Sequence, residues 1–243
     1  MKIGIICAVQ REAAPFLQLI KEPKTGTKAM LRFTEGKIAD AEVVLVTCGV
    51  CKVNAAIGTQ LLIDTYNVDA VINAGTAGVM DESLDILDTV IATEVAYHDV
   101  ANEILIQDHP KMKDVFFRTD YQLLTAAHKV AEDASEPIFF GRMVTGECFI
   151  ADEGRERINE RFEPLSVDME TGAMAHVCYV NDTPFISIRC ITDTAKHSGT
   201  GVFEENVVRA AAVAADITIK LIGEISGRES YENASCNNSN SKI

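Results

Sequence analysis

Short apolar runs of strand length alternate with segments of helix length along most of the chain. The first run, residues 2–8, is rich in β-branched residues and is typical of a buried strand. Residues 54–66 repeat their apolar positions with helical period, and residues 203–225 are predicted to form a long final helix. Because strands and helices alternate without a linker, the pattern predicts a three-layer α/β sandwich in one domain.

That single domain is predicted to cover residues 1–227. Residues 228–243 are rich in Ser and Asn and have no apolar periodicity, so they are predicted to be a disordered tail. Within the domain, a hairpin is predicted around residues 34–37. Residues 94–117 show no clear periodicity, which is typical of a functional or contact-forming segment.

Two acidic residues follow two of the predicted strands. Residues 165–169 form an apolar run that stops at Glu170, and residues 185–191 form a β-rich run that is followed closely by Asp193. Parallel strands joined by a helix place their carboxyl ends on one edge of a sheet, so both carboxylates are expected to face one crevice. Taken singly, Glu170 is explained as well by a helix's first turn, and Asp193 by an Asx turn.

Other predicted strands also end in groups that suit a binding site. Glu12 lies just past the first strand, and Thr76 and Gly78 belong to a run of small residues that lets backbone N–H groups approach a ligand. The glycine spacing there is neither a dinucleotide fingerprint nor a phosphate loop. Phe149 follows another strand and could stack on a flat ring, although core packing is the commoner role. A functional site is favoured by four polar residues at strand ends together: Glu12, Thr76, Glu170 and Asp193.

The composition of the chain limits the classes of partner that it is expected to bind. The chain has 22 Lys and Arg against 36 Asp and Glu, a net charge of -14 that disfavours nucleic acid. Its apolar start is too short for a signal peptide or a membrane span, which predicts a cytoplasmic protein without a membrane partner.

The cysteines number seven and lie mostly in apolar runs, as reduced core thiols do. Cys48 and Cys51 have zinc spacing, but no second pair follows at a matching distance, so no metal is expected.

Six motifs occur in an order that resembles the purine nucleoside phosphorylase superfamily, and within it the 5′-methylthioadenosine/S-adenosylhomocysteine nucleosidases. They are IGIICAVQREA, NAGTAGV, AYHD, VTGECFI, VDMETGAMAHV and RCITDTA. Each piece alone is weak, but the combination is specific. The resemblance implies a nucleoside phosphorylase-like fold with a central mixed β-sheet, and a small-molecule adenine nucleoside as ligand, without a cofactor.

The same resemblance implies roles on the water side of the nucleoside. Glu12 is similar to the family's base for the attacking water, and Arg189 to the residue that helps to place that water. Thr76 stands where the family more often has Ser, and the hydroxyl is kept.

On the nucleoside side, Met169 and Glu170 resemble the pair that binds the ribose, with Glu170 taking the 2′ and 3′ hydroxyls. Phe149 and the backbone of Ile150 resemble the adenine wall, and Asp193 resembles the acid at purine N7. Breaking the purine–ribose bond passes through an oxocarbenium-like state, and a carboxylic acid at N7 lets the base leave as a neutral molecule. A neighbouring apolar wall is expected to raise the pKa of Asp193.

Three functions remain open: a nucleosidase, a phosphorylase that uses inorganic phosphate, and a non-catalytic nucleoside-binding module. A phosphorylase of the hexameric branch needs several arginines around its anion, one of them where this chain has Asn73. Arg11 alone is a poor cradle for a dianion, so hydrolysis is favoured. A binding module needs no water-activating base, which disfavours the third function.

Departures from the nucleosidase pattern concern mainly the 5′ group of the substrate. Asp168 stands where the family usually has Glu, and residues 100–114 replace a Gly-rich, aromatic loop. The resemblance implies a homodimer in which residues 100–117 of one chain help close the partner's 5′ pocket. Asn102 and Leu105 stand where the family tends to place an apolar residue and an aromatic. We therefore expect a more polar pocket and greater tolerance of homocysteine relative to methylthio.

Overall fold

The computed structural model describes residues 1–108, 112–150, 154–194 and 200–239, with side chains up to residue 227, Thr200 excepted. The strands are β1 (Lys2–Cys7), β2 (Lys21–Lys28), β3 (Leu31–Ile38), β4 (Ala41–Thr47), β5 (Ala70–Val79), β6 (Thr89–Tyr97), β7 (Phe117–Arg118), β8 (Ile138–Thr145), β9 (Ser166–Asp168) and β10 (Phe185–Asp193). The helices are α1 (Gln10–Leu17), α2 (Lys52–Tyr66), α3 (Asn102–Asp108), α4 (Tyr121–Glu132), α5 (Arg155–Phe162), α6 (Thr171–Val180) and α7 (Thr200–Ser239).

Within the described residues, the strands form one mixed sheet. β1 lies between β4 and β5 and pairs in parallel with both, and β5 pairs in parallel with β10. β10 also pairs with β6, and the path continues through β8 and β9 back to β5, so these five strands close into a ring. On the other side of β1, the sheet extends through β4 and β3 to β2. The carboxyl ends of β1, β5 and β10 therefore lie side by side.

Alternating side chains of the strands pack against two separate helical layers. In β1, Ile3 and Ile5 pack in a cluster with residues of α1, α4 and α7, whereas Ile6 packs with residues of α2 and α6. β4 divides in the same way, with Val43 on the first side and Val44 on the second. This arrangement confirms the predicted three-layer α/β/α sandwich.

The first hairpin differs from the prediction. Residues 34–37 do not form its turn but lie inside β3, and the turn falls at Ala29 and Met30, which have φ of 48° and 65°. Gly36 is needed for a close approach instead, because a Cβ there would lie 2.5 Å from the carbonyl oxygen of Lys21. Every residue of β2 is exposed, so no burial pattern marked that strand in the sequence.

The segment from residue 94 to 117 is also more regular than predicted. Its first residues continue β6 as far as Tyr97, and α3 follows. Residues 109–111 of this segment lie outside the described residues. α7 continues to Ser239, into the predicted tail of residues 228–243, but the described side chains end at residue 227 and the disorder of the tail stays a prediction. In the described part of the chain, no helix has the length and apolar character needed to cross a membrane.

Candidate active site

A cavity of about 340 Å³ lies at the carboxyl ends of β1, β5, β9 and β10, beneath the first turns of α7. This volume suits a nucleoside-sized ligand. Seven residues predicted from the sequence line it: Glu12, Thr76, Gly78, Phe149, Met169, Glu170 and Asp193. Glu12, Glu170 and Asp193 therefore share one cavity, as predicted. The predicted reason was wrong for Glu170, because β9 pairs antiparallel with β5 and is not parallel to β10.

Asp193 reaches the cavity from an irregular end of β10, where the register shifts between Ile191 and Asp193. Its Oδ1 accepts a hydrogen bond from the Thr192 hydroxyl at 2.9 Å, whereas its buried Oδ2 has no hydrogen-bond partner among the described residues. Gly78 makes room for this oxygen, since a Cβ there would lie 3.2 Å from Oδ2. Burial raises the pKa of Asp193, which favours the protonated acid.

Glu12 is held in a contrasting environment at the start of α1. Its Oε1 accepts hydrogen bonds from the backbone N–H of Thr76 at 2.8 Å and from the Thr76 hydroxyl at 2.9 Å. Its Oε2 accepts from the N–H groups of Ala8 and Val9, at 2.9 and 3.1 Å. With donors on both oxygens, the Glu12 carboxylate is an oriented acceptor.

Glu170 forms the third carboxylate of the cavity, at the start of α6. Its Oε1 accepts a hydrogen bond from the N–H of Cys51 at 2.9 Å, and its Oε2 lies 3.4 Å from Nη2 of Arg189. Burial raises the pKa of Glu170 to about 7, and the Asp168 charge acts in the same direction, while Arg189 opposes both. A carboxylate in this position can accept hydrogen bonds from the hydroxyls of a sugar.

Arg189 lies behind these acids and does not line the cavity. Its side chain is completely buried, with Nη2 at 2.8 Å from Oδ2 of Asp168 and Nη1 at 3.7 Å from Oε1 of Glu12. Together with the contact to Glu170, one guanidinium therefore faces three carboxylates. Arg189 therefore compensates the negative charge of these three carboxylates. It lies behind the cavity wall, where a water molecule next to the substrate would not contact it.

Asp168 fixes this guanidinium from β9. Its Oδ1 accepts a hydrogen bond from the Thr145 hydroxyl at 2.6 Å, and the Thr171 hydroxyl donates to its Oδ2. The hydroxyl of Thr171 also lies 2.8 Å from Oδ1 of Asn73. Asn73 is completely buried in this network and does not face the cavity. The presence of Asn73, where a phosphorylase of the hexameric branch has an arginine, is therefore weak evidence against anion binding in the cavity.

The two predicted members of the adenine wall differ in position. The Phe149 side chain lines the cavity and is 42% exposed, as an open stacking surface would be. Ile150 packs against the cluster of Ala96, Val144 and Phe162, and its side chain is not part of the lining. The residues that follow, 151–153, lie outside the described part of the chain.

Sequence reasoning missed an apolar group at the β1 and β4 end of the cavity, formed by Val9, Val50 and Phe203. Val9 and Val50 lie two and three residues beyond the ends of β1 and β4, so the strand-end rule that found Glu12 could have found them. Phe203 comes from the first turns of α7, which no strand-end rule covers. Arg11, considered only as a possible anion ligand, lies beside this group and pairs with Glu204.

The fold is that of the phosphorylase type, and the family model described as "Phosphorylase superfamily" matches residues 2–223. A 5′-methylthioadenosine/S-adenosylhomocysteine nucleosidase of Shewanella pealeana is 35% identical over 230 residues, which cover 93% of this chain and 100% of that protein. The corresponding protein of Bacillus thuringiensis is 32% identical over the same shares. The chain belongs to the 5′-methylthioadenosine/S-adenosylhomocysteine nucleosidases of this superfamily.

Solved structures agree with this assignment. The nucleosidase of S. pneumoniae, solved with the transition-state inhibitor MT-ImmA, is similar with a TM-score of 0.85 at 28% identity, over 93% of this chain and 100% of that one. The enzyme of Colwellia psychrerythraea, solved with adenine, has a TM-score of 0.84 at 32% identity, over 92% and 95%. The family resemblance and the fold class inferred from the sequence motifs are confirmed.

Proposed function

We propose that this protein hydrolyses the N-glycosidic bond of 5′-methylthioadenosine and S-adenosylhomocysteine and releases adenine. The observation that carries the proposal is a pair of buried carboxylates in one cavity with opposite surroundings. Asp193 offers an oxygen without a partner among the described residues, whereas Glu12 is held by four hydrogen bonds. Membership of the nucleosidase family supports the same reaction.

In the proposed reaction, Asp193 is the acid and Glu12 is the base. The bond between purine N9 and ribose C1′ breaks with both electrons moving to the purine, while Asp193 donates its proton to N7. The sugar becomes oxocarbenium-like, and Glu12 takes a proton from a water molecule that attacks C1′. Adenine and a free 5-thio-substituted ribose leave, and proton transfer through solvent restores both carboxyl groups.

The remaining cavity residues position the nucleoside in this proposal. Glu170 accepts hydrogen bonds from the 2′ and 3′ hydroxyls of the ribose, with Met169 against the sugar. Phe149 stacks on the adenine ring. The small residues from Thr76 to Gly78 allow this ring to approach the sheet closely. Arg189 offsets the negative charges of three carboxylates that lie close together in one small, mostly apolar region.

Phosphorolysis is the alternative, and the charges around the cavity favour hydrolysis. Among the described residues, Arg11 is the one cationic side chain that lines the cavity, and its guanidinium donates two hydrogen bonds to Glu204. A phosphate dianion in this site would face several carboxylates, and one arginine supplies too little cationic charge to offset them.

Two broader expectations belong to the proposal. The protein acts as a homodimer, which the exposed apolar residues of α2 and α3 support, among them Val53 and Ile104 at 68% and 60% exposure. It acts in the cytoplasm, which is supported by buried free thiols at Cys7, Cys48, Cys178 and Cys190.

The test is a nucleoside panel assayed for free base, with and without inorganic phosphate. We expect adenine from 5′-methylthioadenosine in phosphate-free buffer, with 5-methylthioribose as the second product. Strict dependence on added phosphate, with the sugar recovered as its 1-phosphate, would support phosphorolysis instead.

A further inference from the structure

A pair of opposite charges lies at the edge of the cavity, outside the proposed catalytic groups. Arg11 Nη2 donates a hydrogen bond to Glu204 Oε1 at 2.9 Å, and Nη1 donates to Oε2. The two side chains are 40% and 57% exposed, and both line the cavity. The pair therefore borders the ligand space and the solvent at once.

The order of the strands shows which end of a nucleoside this pair would meet. Asp193 on β10 and Gly78 on β5 mark the end proposed for the purine, and the sheet continues from β5 to β1 and then β4. Arg11 follows β1, two strands away from β10 and next to β4. Glu170, proposed for the ribose hydroxyls, is tied to the β4 side by the N–H of Cys51.

Beyond the ribose, the cavity changes from apolar to charged. Val9, Val50 and Phe203 form an apolar section, and the Arg11 guanidinium lies 5.5 Å from the centre of the Phe203 ring. A thioether chain at the ribose 5′ position would pass the apolar section first and reach the charges next. A methylthio group ends within the apolar section.

We propose that Arg11 and Glu204 bind the amino-acid end of the 5′ substituent of S-adenosylhomocysteine, the carboxylate on Arg11 and the ammonium group on Glu204. The inference rests on the proposed function. A guanidinium has five N–H donors, of which Glu204 engages two, so a second carboxylate can be bound without losing the first. Because an exposed ion pair contributes little by itself, its rearrangement around a zwitterion costs little. The pair therefore selects 5′ substituents that carry an amino-acid group.

The experiment compares adenosines with five 5′-thio substituents: methyl, butyl, 3-carboxypropyl, 3-aminopropyl and homocysteine. Each is assayed for kcat/KM with the wild type, Arg11→Met and Glu204→Gln. We expect Arg11→Met to lower the ratio of the carboxypropyl to the butyl substrate about five- to tenfold, as for a lost charged hydrogen bond in a partly exposed site. Glu204→Gln should lower the aminopropyl to butyl ratio to a similar extent, and each variant should lower the homocysteine to butyl ratio.

Lys129→Met is the matched control, because Lys129 makes a 3.2 Å ion pair with Glu224 that also joins α7 to another helix. It should leave all of these ratios as in the wild type. A fall by one common factor for every substrate in Arg11→Met would show that the pair only holds α7 in place and would overturn the proposal. Unchanged ratios in both variants would overturn it as well.

Failure of the proposed function gives a different result. If the wild type releases adenine from none of the five compounds, the hydrolytic proposal fails, and dissociation constants from calorimetry on the same series then decide the inference. Weaker binding of the carboxypropyl compound to Arg11→Met, relative to the butyl compound, would support it. Equal relative binding would contradict it.

Discussion

Asp193 and Glu12 are two carboxyl groups in one cavity, and their surroundings suit them to different chemical roles. Burial raises the pKa of Asp193, and its Oδ2 has no partner in the described part of the protein. Glu12 instead receives two hydrogen bonds on each oxygen. The raised pKa of Asp193 suits an acid, and the four hydrogen bonds that orient the Glu12 carboxylate suit a base.

Glu170 gives a prediction for the pH dependence of stability. Its folded pKa is raised to about 7, above the usual Glu value of 4.5. The stability linked to its proton is thus fully present below about pH 4.5 and is lost as the pH rises through 7. We expect Glu170→Gln, which has no proton to lose, to gain unfolding free energy relative to the wild type by a few kcal/mol between pH 5 and pH 8.

Urea unfolding of both proteins at the two pH values measures this difference. A difference between mutant and wild type that is the same at pH 5 and pH 8 would show that the pKa of Glu170 is not raised by folding.

Gly75 gives a second prediction at the scale of single residues. A Cβ there would lie 2.5 Å from Oε1 of Glu12 and 2.7 Å from Nη1 of Arg189. Gly75→Ala should therefore displace both side chains and lower kcat/KM by about 100-fold or more, since a small misplacement of a catalytic group has effects of this size. Gly223→Ala is the control, because a Cβ at Gly223 would meet no described atom within 4 Å. Activity of Gly75→Ala equal to that of the control would refute the placement of Glu12.

At the scale of elements, β9 and β10 are joined across the site by a buried ion pair. Asp168 of β9 and Arg189 of β10 are both buried, with 2.8 Å between Oδ2 and Nη2. Asp168→Asn removes the charge and should lower the unfolding free energy by about 3–5 kcal/mol, because it leaves a buried cation less compensated. Asp168→Glu keeps the charge and should lose less. Denaturant unfolding compares them, and a loss below about 1 kcal/mol in Asp168→Asn would contradict this role.

The elements also show what the sequence could predict and what it could not. The apolar runs of β1 and β10 ended close to Glu12 and Asp193, so these two residues could be expected at one edge of the sheet. The strand that leads to Glu170 was predicted to be parallel to β10, but β9 pairs antiparallel with β5 and reaches the cavity through the ring that five strands form. Thr76 lies inside β5 and not beyond its end. The predicted position of the hairpin turn was wrong because β2 is exposed throughout and has no apolar pattern in the sequence. The burial of Arg189 could not be predicted, because its partner Asp168 lies on another strand and only the folded sheet brings the two together.

At the scale of the whole molecule, we predict a homodimer that completes the 5′ pocket. Ile104 on α3 and Val53 on α2 are largely exposed in the single chain, and Asn102 is buried with its Nδ2 bonded to the carbonyl of Tyr97. Sedimentation should give twice the mass of one chain. Ile104→Glu should shift the protein towards the monomer and lower activity, whereas Glu103→Gln, on the same helix, should do neither. A monomer with full activity would refute the shared pocket.

The structure modifies the reasoning on 5′ specificity. Asn102 does not line the cavity of its own chain, so it can contact a substrate only in the cavity of the partner subunit. The partly exposed ion pair at the edge of this cavity is formed by Arg11 and Glu204. Arg11 lies in the first turn of α1 and Glu204 in the second turn of α7, and the sequence pattern does not indicate that two such distant helix starts meet.

The central claim is that Asp193 protonates the departing purine, and a change of leaving group tests it most directly. Asp193→Asn should lose about 100-fold or more in kcat on 5′-methylthioadenosine. On the 4-nitrophenyl glycoside of 5-methylthioribose, whose leaving group needs no proton, the loss should be less than about tenfold, whereas Glu12→Gln should slow both substrates to a similar degree. Equal losses on the two substrates in Asp193→Asn, or near-normal activity on 5′-methylthioadenosine, would contradict the claim.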